Sequence, residues 1–249
     1  MKQTWLIMGM PINVVIEDET ADETAFREVR DYFHYVDDQY SPYKPTSEVS
    51  KINDGLPKSK WTPEMKTILE LCQQTKDQTR GYFDVFRDGR LDPSGLVKGW
   101  AIDNAARLLK KRGLKNFYIE AGGDVQVSGH NADSQPWSIG VRNPFNKDEI
   151  VKAVEVTTEG VATSGTYIRG QHIYDPVGGT DEITDVASLT VIGPNIYDAD
   201  RFATAAFAMG KSGISFIESL EGYEGYMISS DKLATLTGGF GQYVTGTAS

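Results

Sequence analysis

Cysteine and histidine are scarce in this 249-residue chain, which has one cysteine, Cys72, and three histidines. A single cysteine excludes an intrachain disulfide framework and any cysteine-rich zinc site. The apolar residues around Cys72 predict an amphipathic helix, and they favour a small buried thiol over a reactive one.

Long apolar runs and a surplus of positive charge are also missing. No run approaches the roughly 20 apolar residues of a bilayer-spanning helix, so we expect no membrane span. No signal peptide is visible, so we expect a cytoplasmic protein as the chain stands, or an exported or membrane-associated form if a leader was removed. The formal net charge of −10 argues against nucleic-acid binding. An anionic ligand such as a nucleotide would therefore need a metal ion or a local cationic pocket.

The residues that are present form a mixture of helical and strand patterns. With 39% hydrophobic and 24% charged residues, the composition is that of a globular protein. We expect one domain over residues 1–240 and a loose tail over 241–249. Helical patterns cover Asp18–Asp38, Ser47–Asn53, Thr62–Thr79, Gly95–Arg112, Asp198–Met209 and Ile214–Leu220. Strand patterns cover Thr4–Glu17 as a pair, Phe117–Glu120, Val125–Val127, Trp137–Arg142, Ala153–Thr157, Val161–Ser164, His172–Tyr174, Ser188–Ile192 and Gly225–Ser229. Strict strand–helix alternation is missing, which predicts an α+β fold with mixed sheets and flanking helices.

The segment from Ala162 to Pro176 carries the first chemical signal. His172 lies three residues before Asp175, and small hydroxyl residues and glycine precede them. Imidazole is the side chain best suited to move protons near neutral pH. The pattern favours an acid–base site on a loop between strands, although His172 alone could also be a structural histidine.

Asp200 and Thr204 are four residues apart in a helical pattern and so share one face of the helix. A carboxylate and a hydroxyl are hard oxygen ligands, which suit Mg²⁺ or Ca²⁺ better than zinc. The alternative is that Asp198 or Asp200 simply caps the helix.

Three further segments could contact a ligand. Gly95–Gly99 at a helix start could bind an anion with the help of Lys98, although Lys98 could equally be a solvated helix residue. The glycines before Asp124 allow a close approach of the backbone to a ligand, or Asp124 merely ends a strand. Tyr43 lies in a proline-stiffened loop where aromatic rings could stack on a flat ligand or pack locally.

Taken in order, these segments resemble the ApbE family, the FAD:protein FMN transferases. The resemblance covers the chain from about Gly9 to Met227. It is carried by seven segments in the family's order: Ser41–Asn53, Gly81–Asp84, Gly95–Asp103, Glu120–Asp124, Ala162–Gly165, His172–Pro176 and Ala199–Thr204.

The resemblance implies a two-lobed single domain with an FAD cleft. FMN would be transferred from FAD to a Thr or Ser hydroxyl of an acceptor protein, with Mg²⁺ at the pyrophosphate and AMP as the leaving group. It also implies an acceptor motif, Asp-x-x-Ser/Thr-Ala/Gly-Thr/Ser.

The resemblance implies the following site residues. Asp200 and Thr204 would bind the metal with their side chains, and Val97 with its carbonyl. His172 or Asp175 would take the proton of the acceptor hydroxyl. The residues implied to contact FAD are Ser41, Tyr43, Lys98, Asp103, Glu120, Gly122, Asp124, Thr163, Ser164 and Gly165.

Two other functions remain open for the same cleft. Water could replace the acceptor, which would make the protein an FAD pyrophosphatase that releases FMN and AMP. The chain could also bind FAD without any chemistry, although the Asp200–Thr204 pair argues against that alternative.

Overall fold

The fold is built on one large antiparallel sheet with helices against one of its faces. A computed structural model describes residues 1–165, 173–179 and 182–244. In that part of the chain, eight strands form the sheet in the order β1-β2-β5-β6-β9-β10-β11-β12, and two-stranded hairpins, β3–β4 and β7–β8, lie outside it. The strands are β1 Lys2–Ile7, β2 Met10–Ile16, β3 Phe86–Arg87, β4 Arg90–Leu91, β5 Phe117–Ala121, β6 Asp124–Ser128, β7 Trp137–Asn143, β8 Asn146–Val156, β9 Gly160–Gly165, β10 Val186–Gly193, β11 Glu224–Ser229 and β12 Ala234–Leu236. The helices are α1 Glu23–Tyr40, α2 Glu48–Asn53, α3 Pro63–Gln78, α4 Ser94–Lys111, α5 Ile196–Ala208 and α6 Gly213–Glu218.

Side-chain caps set the starts of several helices where the sequence predicts them. Ser47 caps α2 by accepting from the Ser50 N–H at 3.0 Å. Thr62 caps α3 by accepting from the Met65 N–H at 3.1 Å, with Pro63 at the first helical position. Hydroxyl caps satisfy N–H groups that have no partner within the helix. The predicted helices and the α+β class are thus confirmed, and no helix in the described ranges is long and apolar enough to cross a membrane.

The two faces of the sheet contact two different hydrophobic cores. Alternate residues of a strand point to opposite faces, so that in β11 Met227 joins the helical core while Tyr226 and Ile228 join the other. The helical core contains the buried faces of α1, α3, α4 and α5, including Cys72, which is 3% exposed as predicted. The second core lies between the sheet and the β7–β8 hairpin.

The β3–β4 hairpin is an element that the sequence patterns above do not predict. Its two-residue turn consists of Asp88 and Gly89, both with positive φ, 51° and 75°. Such a turn matches the right-handed twist of paired strands, and Asp-Gly is one of its preferred sequences. The hairpin joins α3 to α4 and lies beside the start of α4.

Two expectations for irregular segments need correction. His172 lies outside the described residues, and Ile173 and Tyr174, expected to continue a strand, lie in irregular chain. Of the tail expected to be loose, residues 245–249 lie outside the described residues, whereas residues 241–243 belong to a 3₁₀ helix that begins at Phe240, and Val244 pairs with Val154. Apolar burial explains the second difference, because Phe240 is 0% exposed in the second core. The compact structure therefore continues to Val244.

Truncating the Phe240 side chain should test how much the C-terminal segment contributes to the stability of the fold. We expect Phe240→Ala to lower the free energy of unfolding by about 3–5 kcal/mol, because it removes a fully buried ring and leaves a cavity. Leu233→Ala is the matched control, since Leu233 is 64% exposed. Urea unfolding followed by circular dichroism measures both variants. Equal stability of the two would contradict the packing described here.

Candidate active site

A cleft of about 360 Å³ lies where α4, β9 and α5 meet the β3–β4 hairpin. Its walls come from segments that are far apart in the sequence. Those from the first half are Tyr43, Tyr82–Val85, Arg87, Asp92, Ser94, Gly95, Lys98 and Gly122, and those from the second half are Thr163–Gly165, Ile173, Tyr174, Pro176, Asp200 and Thr204. The structure therefore brings together most of the segments for which the sequence predicts a chemical role.

The floor of the cleft holds one ammonium group between two carboxylates. Lys98 forms an ion pair with Asp124, and its Nζ lies 3.2 Å from Oδ1 of Asp200. Both aspartates are almost inaccessible, at 1% and 2% exposure, whereas the Lys98 side chain is 18% exposed. Lys98 is therefore a cation on the cleft floor that an anionic ligand can approach.

With both carboxylates ionised, this floor would carry one more negative charge than positive charge. Burial raises the pKa of Asp200, and the nearby Asp124 carboxylate raises it further, while the Lys98 ammonium opposes both effects. Buried like charges destabilise each other, and an added cation relieves that repulsion. Either protonation of Asp200 or a cation close to it would relieve this repulsion.

The donor set fits Mg²⁺ held jointly by the protein and a phosphate ligand. Within the described ranges, no group of three or more Asp, Glu, His or Cys side chains could hold a metal unaided. Mg²⁺ is commonly held by one or two carboxylates together with substrate phosphates, so such a cage is not required. Asp200 supplies a carboxylate, and Thr204 lies one helical turn later on the same cleft wall.

The start of α5 excludes the interpretation of Asp200 as a helix cap. Asn195 caps the helix by accepting from the Asp198 N–H at 2.8 Å, so Asp200 is not the cap. Asp200 instead accepts the Gly99 N–H through Oδ2 at 2.8 Å. A Cβ atom at position 99 would come within 2.7 Å of the Asp200 Cβ atom. The close contact of α4 with α5 thus depends on glycine, and it places Lys98 beside Asp200.

Asp124 connects this floor to β9. Its Oδ1 accepts the Thr163 N–H at 3.0 Å, and the Thr163 hydroxyl lies 2.8 Å from the Thr190 hydroxyl on β10. Ser164 and Gly165 continue the same wall of the cleft, and Gly122 lies opposite with φ of 61°. Four of the residues implied to contact FAD therefore line the cleft, namely Gly122, Thr163, Ser164 and Gly165.

Six of the predicted residues that the structure describes do not line the cleft. Asp124 contacts Lys98 and Thr163 from behind the cleft surface, Asp175 lies at the start of a turn, and the remaining four make the following contacts. Glu120 accepts from the Asn13 side chain and the Gly123 N–H. Asp103 pairs with Arg107, one turn later on α4, at 2.8 Å. Ser41 accepts the Tyr43 N–H at 3.3 Å in the loop after α1. Val97 is buried in the helical core, with only 2% exposure.

The two predicted proton acceptors have different outcomes. His172 lies outside the described residues. Asp175 does not line the cleft, and its Oδ1 accepts the N–H groups of Val177 and Gly178 at 2.8 Å each. The carboxylate therefore stabilises the turn that follows it, which is a structural role that the sequence spacing does not reveal.

The mouth of the cleft contains residues that the sequence did not single out. Tyr43, which was predicted, is 87% exposed there. Arg87 and Tyr174 were not predicted, and they stack with 4.7 Å between the guanidinium carbon and the ring centroid. Asp84 also lines the cleft and pairs with Lys76 at 2.7 Å. Asp84 and Tyr174 lie in segments that carry the family resemblance, and the Asp88-Gly89 turn sequence could have indicated the hairpin.

Comparison with known proteins identifies the fold family. The model of the ApbE family matches residues 8–88 and 86–227, which is most of the chain. The chain belongs to the ApbE family. Its cleft floor and walls are formed by segments that lie within the matched region.

Curated ApbE-family relatives are similar over part of this chain. The FAD:protein FMN transferase of Escherichia coli K12 is 29% identical over 150 residues, which cover 57% of this chain and 43% of that protein. The FAD:protein FMN transferase of Vibrio cholerae is 32% identical over 130 residues, which cover 49% of this chain and 39% of that protein. The chain thus spans less than half the length of these relatives.

Solved ApbE structures share the whole fold. The flavin transferase ApbE from Vibrio cholerae matches with a TM-score of 0.86 at 23% identity, covering 98% of each chain. The ApbE protein from Thermotoga maritima matches with a TM-score of 0.87 at 21% identity, covering 99% of each chain. At these identities the likeness establishes the fold.

The close contact of α4 with α5 should make the protein sensitive to a single added methyl group at position 99. We expect Gly99→Ala to lower the free energy of unfolding by about 1–3 kcal/mol, because the new Cβ would overlap Asp200 and the Ile196 carbonyl. Gly95→Ala is the matched control on the same helix. A Cβ there meets no atom closer than 3.5 Å, so this variant should be near neutral. Urea unfolding measures both, and a Gly99→Ala protein as stable as Gly95→Ala would refute the close contact.

Proposed function

We propose that this protein transfers FMN from FAD to a Thr or Ser hydroxyl of an acceptor protein and releases AMP. The observation that carries the proposal is the floor of the cleft. Lys98 lies between the buried carboxylates of Asp124 and Asp200, and Thr204 lines the same cleft. Membership of the ApbE family and the names of its curated relatives support the same activity.

The floor accounts for how an acidic protein would hold a diphosphate. With a net charge of −10, the chain as a whole repels anions. Lys98 would contact the pyrophosphate, while Asp200 and Thr204 would hold Mg²⁺. The Val97 carbonyl, which the family resemblance implies as a further donor, does not line the cleft. When bound, Mg²⁺ would neutralise charge on the phosphate oxygens and polarise them. The β9 wall, Thr163–Gly165, would direct the phosphates toward this floor.

The reaction balances without any oxidant or reductant. The acceptor oxygen forms a bond to the FMN phosphorus, the bond from that phosphorus to the bridging oxygen breaks, and AMP leaves with that oxygen. The proton of the hydroxyl passes to a base, for which His172 and Asp175 are the candidates from sequence. The two N–H bonds to Oδ1 of Asp175 favour a role in shaping the turn over direct proton transfer.

A transfer assay tests the proposal directly. The protein is incubated with FAD, Mg²⁺ and a peptide that contains Asp-x-x-Ser/Thr-Ala/Gly-Thr/Ser, and the peptide is then analysed by mass spectrometry. We expect the mass of the peptide to increase by one FMN, with one AMP released for each modified peptide. A peptide that stays unmodified over a range of Mg²⁺ concentrations would refute the transferase.

The same assay separates the two other functions. AMP release at the same rate with and without peptide would identify a pyrophosphatase, which uses water as the acceptor. Tight FAD binding with FAD unchanged after long incubation would identify a binding protein.

Asp200→Asn should identify the metal site. The amide keeps the shape of the side chain and an oxygen for the Gly99 N–H, but it removes the charge that a cation needs. Mutation of a residue that only orients a metal ligand lowers metal affinity or activity by about 10–100-fold. Asp200 would itself be a ligand, so we expect at least a ~100-fold loss of Mg²⁺-dependent turnover. Asp31→Asn, on the exposed face of α1, is the charge-matched control. Unchanged Mg²⁺-dependence in Asp200→Asn would show that the metal lies elsewhere.

A further inference from the structure

The β3–β4 hairpin needs support from outside to keep its place at the cleft. In the described part of the chain each of its strands has two residues, and they pair only with each other. A two-stranded hairpin of this size has little stability of its own. Its position therefore depends on contacts made by its two strands.

One of these contacts fixes the β4 side of the hairpin. The Asn53 side chain accepts the Leu91 N–H at 2.7 Å and donates to the Leu91 carbonyl at 2.9 Å. Leu91 itself is 1% exposed. These bonds attach β4 to the end of α2.

A second set of contacts supports the β3 side of the hairpin. These contacts join β3 to a neighbouring segment of the cleft wall. The Tyr174 hydroxyl donates to the Phe86 carbonyl at 3.2 Å, and the Arg87 guanidinium lies over the Tyr174 ring. Arg87 and Tyr174 both line the cleft. They join the hairpin to the Ile173–Pro176 segment, which would otherwise be a separate part of the same wall.

We propose that the Arg87–Tyr174 pair positions the mouth of the cleft, holding the hairpin and Ile173–Pro176 together as one wall that sets the affinity for FAD. Both are positioning residues in this proposal, because they act through the wall and not on the reacting phosphate. The FAD readout rests on the proposed function, whereas the stability of the hairpin can be measured without any ligand.

Hydrogen exchange of the ligand-free protein tests the first half of the proposal. We expect Arg87→Ala and Tyr174→Leu each to speed amide exchange in residues 86–91 by roughly two- to five-fold, the range that corresponds to one cation–π contact at an exposed site. Tyr174→Phe keeps the ring and loses the bond to Phe86, so it should show a smaller increase. Arg90→Ala is the matched control, because Arg90 faces Arg87 across the hairpin and does not line the cleft.

FAD titration of the same variants tests the second half. Arg87→Ala and Tyr174→Leu should each weaken FAD binding by roughly two- to five-fold, and the double variant should weaken it no further than either one alone. Additive losses in the double variant, or exchange and FAD affinity in Arg87→Ala equal to those in Arg90→Ala, would overturn the proposal. Failure of FMN transfer with the exchange result intact would count against the proposed function alone.

Discussion

The close contact of α4 with α5 at Gly99 is the constraint on which the candidate site depends. Because Gly99 has no side chain, its N–H can reach Asp200 Oδ2 at 2.8 Å, and the preceding residue, Lys98, then lies beside the same carboxylate. Any side chain at position 99 would push Asp200 and α5 away. The ion pairs of the floor and the position of Thr204 follow from this single approach.

The same contact explains why two carboxyl groups meet a single ammonium on the floor. Asp124 arrives from the start of β6 and is held by the Thr163 N–H, while Asp200 arrives from α5 and is held by the Gly99 N–H. The two carboxylates thus share one ammonium in a place that water hardly reaches. Such an arrangement is costly for stability alone, and it is explained if a cation and a phosphate ligand complete the site.

The parts of the fold that local physics controls were predictable from the sequence. Thr62 with Pro63, and Ser47, mark helix starts by their capping chemistry, and the spacing of Asp200 and Thr204 places them on one helical face. The role of Asp200 was harder to predict, because an aspartate near a helix start usually caps it. Only the register set by Asn195 shows that Asp200 lies one turn further in and is buried.

What the sequence did not reveal arises from contacts between distant segments. Glu120 and Asp103 lie in segments that resemble the family's motifs, yet Asn13 and Arg107 bind their side chains outside the cleft. Tyr174 and Phe86 are 88 positions apart in the sequence, and a local sequence pattern cannot predict a hydrogen bond between such distant residues. The floor of the cleft is therefore held by buried ion pairs and a helix contact, whereas its mouth depends on a short hairpin and one stacked pair.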